Sequence, residues 1–348
     1  MFLATRSEPR LAVIVMAAVG LSVVLAAVLV SAGLEARLRE QALSRSAAEL
    51  GFRARLVSAR VESYLRLADG LSRTPPLAGL DRARESGVDW LDGSTRAQWM
   101  TRLATIFLST LRAEEVVFQA RYLDAEGREV VRLDRLEGRL ARTDDAELQD
   151  KSGRPYVRTA RARGASPAFL TPIEMNREQG ALDPRLIPTL RAVAPALDPA
   201  GEVIGFVILN LDMRAVLADV APEAGPEGVP RLIDAGGRYA ATLEPARIQA
   251  MVQAREGAAW IDEPALAARL AEGEAFPFDH AAPTADAGSL LVGAPMRFPR
   301  MVPPVPYMAI WERSAEPVDA LLSDSRAEAL LAGLGAAVAA GGLALLLG

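Results

Sequence analysis

The residues best equipped for chemistry are arginines, tyrosines and carboxylates gathered between Val116 and Asp212. Along one stretch Gln119, Arg121 and Leu123 alternate with Phe118, Ala120 and Tyr122, so a strand would point the two sets to opposite faces. Arg132 follows with Asp134 close by, then Tyr156 and Arg158, then Glu174, Asn176 and Arg177, and finally Arg191. Guanidinium groups beside a tyrosine can hold a carboxylate or phosphate through paired hydrogen bonds. The plainer alternative is that these arginines pair with Glu129, Asp134 or Glu174 at the surface, where each pair contributes ~0–1 kcal/mol. Any single residue fits either reading, whereas the cluster as a whole is expected to form a pocket.

Catalysis is not expected. The chain has no G-x-x-x-x-G-K-[ST], H-E-x-x-H or G-x-S-x-G, and no dinucleotide glycine motif after a strand. Its one histidine is His280 and it has no cysteine, which argues against a metal centre, a nucleophilic triad or a disulfide framework. No cofactor is implied. A net charge of −5 offers no basic face for nucleic acid. Hydrophobic residues make up 51% of the 348, and two apolar runs account for much of that.

These residues must be positioned by strands. Val116–Leu133 is predicted as a β-hairpin around Asp124-Ala125-Glu126-Gly127, where Asp can bond its own backbone and Gly can take a positive φ. The same signature recurs at Leu197-Asp198-Pro199-Ala200-Gly201 and at Ile233-Asp234-Ala235-Gly236-Gly237, which predicts more than one small antiparallel sheet. Val203–Leu211 is an almost unbroken apolar run suited to a buried strand. Short strands are expected at Phe169–Glu174 and Leu190–Ala196, and a helix at Arg96–Leu111. Asp81–Gly93 is expected to be a polar loop, and Leu136–Ala165 is polar and arginine-rich. A smaller module with strands near 231–233, 238–243, 276–280, 289–295 and 307–311 and a helix near 264–271 is expected beyond a Pro- and Gly-containing linker at 221–229.

Two apolar runs bracket these modules. Leu11–Leu34 exceeds the ~20 residues that cross a bilayer, and Arg6 and Arg10 before it favour a cytoplasmic N-terminus. The rival reading is a signal peptide cleaved near Ser31-Ala32-Gly33, whose apolar core would normally be only ~7–15 residues. Val57, Val61, Tyr64, Leu65, Ala68 and Leu71 mark an amphipathic helix over Glu35–Leu71, suited to packing on its own domain or on a second copy in a dimer. A final helix leads into Leu330–Leu347, after which the chain stops at Gly348 with no Lys or Arg, as expected of a sequence cut at a membrane face.

The segments QARYLDAEGREVVRLDR, LQDKSGRPYVRTA, FLTPIEMNREQG and LRAVAPALDPAGEVIGFVILN resemble the double-Cache periplasmic sensor domains of bacterial membrane receptors, which include histidine kinases, diguanylate cyclases and chemoreceptors. The resemblance implies an α+β fold: a long N-terminal helix, then two tandem PAS-like (Cache) modules with antiparallel sheets, between flanking transmembrane helices. It maps the chain as an N-terminus at 1–10, a span at 11–34, the long helix and membrane-distal module at 35–220, the linker at 221–229, the membrane-proximal module at 230–314, a juxtamembrane helix at 315–328 and a second span at 329–348. A small-molecule ligand, with an anion suited to the arginines, would be held in the distal module by Arg121, Tyr122, Arg132, Tyr156, Glu174, Asn176, Arg177 and Arg191. The implied protein is a homodimer in the bacterial inner membrane, its sensor domain periplasmic and its output domain not within this sequence. The amino-acid motif of other Cache branches is not evident. The alternative from a different class is a two-span scaffold whose outer domain binds another protein and shows an exposed apolar patch.

Overall fold

The computed structural model describes residues 8–218, 231–234, 239–243, 248–249, 276–278 and 289–314, with isolated positions between 323 and 339. The linker at 221–229, the helix expected at 264–271, His280 and nearly all of the second apolar run lie outside the described residues. The chain divides into two compact units. One is Met1–Ala47 with Pro277–Val292 and Glu312–Gly348, the other Ala48–Phe276 with Gly293–Trp311.

Helix α1 (Glu8–Leu71) is a single helix of 64 residues, so the first apolar run and the amphipathic helix after it are continuous. Pro9 sits in its first turn and no other proline follows until Pro75, leaving nothing to break it. Within the second unit Leu50, Ala54, Val57, Val61, Leu65, Ala68 and Leu71 form a buried stripe at helical spacing. Tyr64 on that stripe donates to Glu114 at 3.2 Å. Within the first unit Ile14, Leu21, Leu25, Leu29 and Val30 of the apolar run are each more than half exposed. Among the described residues, no helix is long and apolar enough to cross a membrane.

After α1 come α2 (Pro75–Arg82) and α3 (Arg96–Ala113). Helix α2 begins on Pro75, whose fixed φ suits a first turn, and takes in Asp81 and Arg82, so the expected loop at Asp81–Gly93 starts inside a helix. Helix α3 starts at a capping box: Thr95 Oγ1 accepts from Gln98 N, while the Gln98 side chain accepts from Thr95 N. Next are β1 (Val117–Asp124), β2 (Glu129–Leu136), β3 (Arg139–Arg142) and α4 (Pro155–Arg163). The short strands β4 (Phe169–Leu170), β5 (Glu174–Met175), β6 (Arg177–Glu178) and β7 (Ala181–Leu182) precede the long β8 (Pro188–Leu197) and β9 (Val203–Asp212), and α5 (Met213–Ala218) follows.

These strands form an antiparallel sheet in the order β3-β2-β1-β9-β8-β4, with β5 also on β8, so the first and last strands adjoin at its centre. Burial of β9 on both faces from Ile204 to Leu211 accounts for its unbroken apolar run. Strands β6 and β7 stand apart as a two-stranded hairpin. A second sheet holds β10 (Arg231–Asp234), β11 (Tyr239–Thr242), β12 (Phe276–Phe278), β13 (Ser289–Met296) and β14 (Tyr307–Ser314) in the order β11-β10-β14-β13-β12. Within the second unit, Leu170 N donates to Arg300 O at 3.1 Å and Val302 N to Leu170 O at 2.8 Å. The hydroxyl of Tyr307 accepts from Ile173 N at 2.9 Å.

The β1–β2 turn does more than reverse the chain. Gly127 sits at φ +96, and a Cβ there would lie 2.9 Å from Ser152 Cα and 2.8 Å from Val157 Cγ1. This close approach lets Lys151 N donate to Gly127 O and Glu129 N to Gln149 O, both at 2.9 Å, pinning residues 149–151 to the hairpin. Gly127→Ala is therefore expected to cost about 1–3 kcal/mol, measured as a lower urea midpoint. Loss of hydrogen-exchange protection at Lys151 should accompany it.

Candidate functional site

One face of the seven-stranded sheet is polar in its middle. On β1, Gln119, Arg121 and Leu123 share this face, and Gln119 stands opposite Asp134 of β2 and Asn210 of β9. Arg121 stands opposite Arg132 and Ile208, and Asn210 opposite Arg191 of β8. Two register slips build the arrangement. Between Val117 and Gln119 the β1–β9 pairing shifts by one, which sets Gln119 level with Asn210. Between Tyr122 and Leu123 the β1–β2 pairing shifts again, so Glu129 rather than Val130 stands opposite Leu123. The Glu129 carboxylate is thereby brought 2.9 Å from Arg121.

Like charges directly opposite one another, as Arg121 and Arg132 are, destabilise a sheet unless acids intervene. Asp134 accepts a two-pronged contact from Arg132, at 2.8 Å from Nε and 3.1 Å from Nη2. It also accepts from Thr143 at 2.9 Å and from Gln119 at 2.6 Å. The third acid, Glu178, comes from the separate β6–β7 hairpin. Its Oε1 accepts from Gln119 at 3.1 Å and Asn176 at 3.2 Å, with Arg121 Nη2 at 3.5 Å. Its Oε2 accepts from Arg132 at 2.9 Å and Gln149 at 3.3 Å, with Lys151 Nζ at 3.5 Å. One carboxylate thus meets three cations and three side-chain amides.

An apolar floor adjoins this network, where Leu123, Val193, Phe206 and Ile208 pack with Tyr156, Val157 and Ala160 of α4. The Arg191 guanidinium lies 4.9 Å from the Tyr156 ring centroid and 3.5 Å from Glu174. The Tyr156 hydroxyl accepts from Arg121 at 3.5 Å. Three buried polar atoms of the face, Arg121 Nε, Glu129 Oε1 and Asn210 Oδ1, have no hydrogen-bond partner among the described residues, Glu129 Oε1 keeping its charge contact with Arg121. Among the described residues no cluster of His, Cys, Asp or Glu is arranged to hold a metal.

Of the sequence candidates, Arg121, Arg132, Tyr156 and Asn176 meet in this network, and Arg191 with Glu174 forms its edge. Tyr122 does not belong to it. It points to the opposite face, donating to Ile204 O at 2.9 Å against Gly205, as the alternation along β1 requires. Arg177 is exposed on the hairpin and, among the described residues, its side chain reaches only the neighbouring Gly180 O, at 3.4 Å. The arginines pair with Glu129, Asp134 and Glu174 as the plainer reading held, but the pairs with Glu129 and Asp134 are buried, and only the Glu174 partner of Arg191 reaches the surface. Glu178, Gln149 and Lys151 were not among the candidates. The signal for Lys151 was its being the sole lysine among 39 basic residues; Glu178 carried none.

Burial would raise the Glu178 carboxyl, yet Arg121, Arg132 and Lys151 overcome it and hold the group at about 2. Burial and the neighbouring Arg121 pull Lys151 down to about 8. A carboxylate depressed on folding contributes stability above its unfolded pKa near 4.5 and loses it as pH falls toward 2. Unfolding measured by urea between pH 6 and 2 should therefore show a loss of about 3 kcal/mol traceable to this group. Glu178→Gln should flatten that part of the profile.

Residues 82–253 match the family model of the bacterial histidine kinase sensor domain. In fold, the chain is similar to a domain of a sensory box/GGDEF family protein from Vibrio parahaemolyticus, with a TM-score of 0.63 at 19% identity, covering 80% of this chain and 98% of that one. It is also similar to the extracellular domain of the histidine kinase vpHK1S-Z8, with a TM-score of 0.62 at 20% identity, covering 82% and 95%. The extracellular domain of the histidine kinase soHK1S-Z6 gives a TM-score of 0.54 at 12% identity, covering 82% and 98%. Among curated proteins no sequence relative matches. Residues 82–253, just under half of the chain, carry the whole seven-stranded sheet and its polar face; they are similar to the bacterial histidine kinase sensor domain family, and the fold is that of Cache-type extracellular sensor domains.

Proposed function

We propose that this chain is the extracytoplasmic input region of a two-span membrane receptor of the sensor-kinase type. It binds a small polar molecule on the face that carries Arg121, Arg132 and Asn210. The observation that carries this reading is polarity buried where a structural sheet would be apolar. Gln119, Arg121, Arg191 and Asn210 are each at most 2% exposed at the centre of the sheet, and two of their polar atoms lack hydrogen-bond partners among the described residues. Burying charge is costly and seldom improves stability over apolar packing, so such clusters concentrate at functional sites. Charges of both signs and an apolar floor suit a small molecule with a charged group at one end and an apolar body at the other.

The membrane placement rests on the apolar run at 11–34 within α1, whose exposed valines and leucines need an apolar surround. The second span at 329–348 and the dimer through α1 are part of the same reading, supported by the sequence pattern. So are the tandem modules. Both sheets place their first and last strands side by side, each first strand flanked by its hairpin partner, and this common order supports a repeated Cache unit. A ligand signals through such a domain only by its differential affinity for two packings.

A protein-binding scaffold is the second reading. It is favoured by the exposed tip between α2 and α3, where Trp90 is 77% and Leu91 64% exposed. The full chain in lipid nanodiscs, screened by thermal shift against small charged metabolites, separates the two. The sensor reading expects at least one compound to stabilise the chain, by about 2.7 kcal/mol at one hundred times its Kd. Arg132→Ala should abolish that gain while Trp90→Ala leaves it intact. Stabilisers that act equally on the Arg132→Ala chain would contradict the site.

A further inference from the structure

We infer that the Glu178 carboxylate is a tethered stand-in for the ligand's own carboxylate, and that binding displaces the β6–β7 hairpin that carries it. This deepens the reading above and rests on it. The surroundings of Glu178 are those of a bound anion rather than of a surface ion pair. Each oxygen is met by cation and amide donors from several separate segments: Gln119 and Arg121 on β1, Arg132 on β2, Gln149 and Lys151 on the pinned loop, and Asn176. Charge-assisted contacts in this number are the means by which proteins capture free carboxylates.

The base of the hairpin that delivers the carboxylate is fixed, for Asp183 N donates to Asn176 O and Asn176 N to Ile187 O, both at 2.9 Å, but its tip has little else to hold it. Beyond that base, Arg177 pairs with Leu182 and Glu178 with Ala181. Its turn puts Gln179 at φ +48 and Gly180 at φ +80, the reversal that a two-residue loop needs. Arg177, Gln179, Gly180 and Ala181 are exposed, so the Glu178 side chain is the anchor of the tip, helped by one bond from Gln179 N to Gln149. A two-stranded hairpin is at best marginal by itself in water. A free carboxylate entering the cradle replaces the Glu178 contacts one for one, and the hairpin then has no remaining charge to return to. Arg121, Arg132 and Lys151 stay compensated in both states, which is what permits the exchange. Ligand chemistry follows: a small carboxylate, with its remaining atoms toward Tyr156 and the apolar floor.

The test uses acetate, the fragment that Glu178→Ala removes beyond Cβ, with chloride at equal ionic strength as the control. The protein is the full chain in nanodiscs, and since it has no cysteine, Arg177→Cys gives a single nitroxide on the hairpin. Acetate is expected to bind Glu178→Ala at least about tenfold more tightly than the parent chain, and adding Arg132→Ala should abolish the gain. In the parent chain, acetate at about one hundred times the concentration that half-saturates Glu178→Ala should sharpen the nitroxide spectrum. Glu178→Gln, which keeps the side-chain volume, should sharpen it without acetate. Equal acetate affinity in the parent and Glu178→Ala chains, both lost with Arg132→Ala, overturns the tether and leaves the binding face standing. Failure of Glu178→Ala to bind acetate, or an unmoved nitroxide in Glu178→Gln, also overturns it. A metabolite from the thermal-shift screen that requires Arg132 but leaves the nitroxide unchanged sinks the tether alone.

Discussion

Everything on the polar face depends on compensating charge inside a sheet. Arg121 and Arg132 stand directly opposite each other, and Arg191 is buried one strand beyond β9. Unpaired, such cations would impose desolvation costs of several kcal/mol each. The fold answers with carboxylates from different sources: Glu129 by a register slip, Asp134 from the same strand as Arg132, Glu174 from β5 and Glu178 from a separate hairpin. The first three belong to strands of the seven-stranded sheet. Among these four, Glu178 alone rides on a strand outside the sheet, so the network's closure depends on the tip of a two-stranded hairpin.

The edge of the network also lies close to the second sheet. Arg191 meets Glu174 of β5, and the residue before it, Ile173, donates to Tyr307 of β14. Leu170 of β4, on the same edge of β8, exchanges backbone hydrogen bonds with Arg300 and Val302. A change in how Glu174 and Arg191 are held therefore begins one residue from a hydrogen bond that joins the two sheets. The sheet supplies a short physical route from a ligand to its neighbour, through paired strands rather than through loops.

Much of the fold was legible from sequence because it rests on local chemistry. Asp124 and Gly127 announce the first hairpin, Asp198 and Gly201 the second, and the apolar run of β9 reports a strand buried on both faces. Helix α2 was not legible because Pro75 and Pro76, which break a helix in its interior, are also at home in a first turn. The site was legible only in outline. Alternation along β1 already set Tyr122 opposite Arg121, and the resemblance that grouped them was followed at the expense of that geometry. The slip that brings Glu129 onto the polar face follows from pairing with β1, which a strand's own residues do not encode. Glu178 sits in a hairpin of two-residue strands, too short to show any periodicity.

Glu178 is held by cooperative, largely buried charge contacts rather than by an ordinary surface pair. A double-mutant cycle between Arg132 and Glu178, with both residues changed to alanine singly and together and stability read by urea unfolding, measures this. Such contacts require a coupling of about 1.5–3 kcal/mol, in the upper range for residues sharing one network. A coupling near zero, as many exposed ion pairs give, would contradict it, for the carboxylate would then be resting on the site rather than closing it.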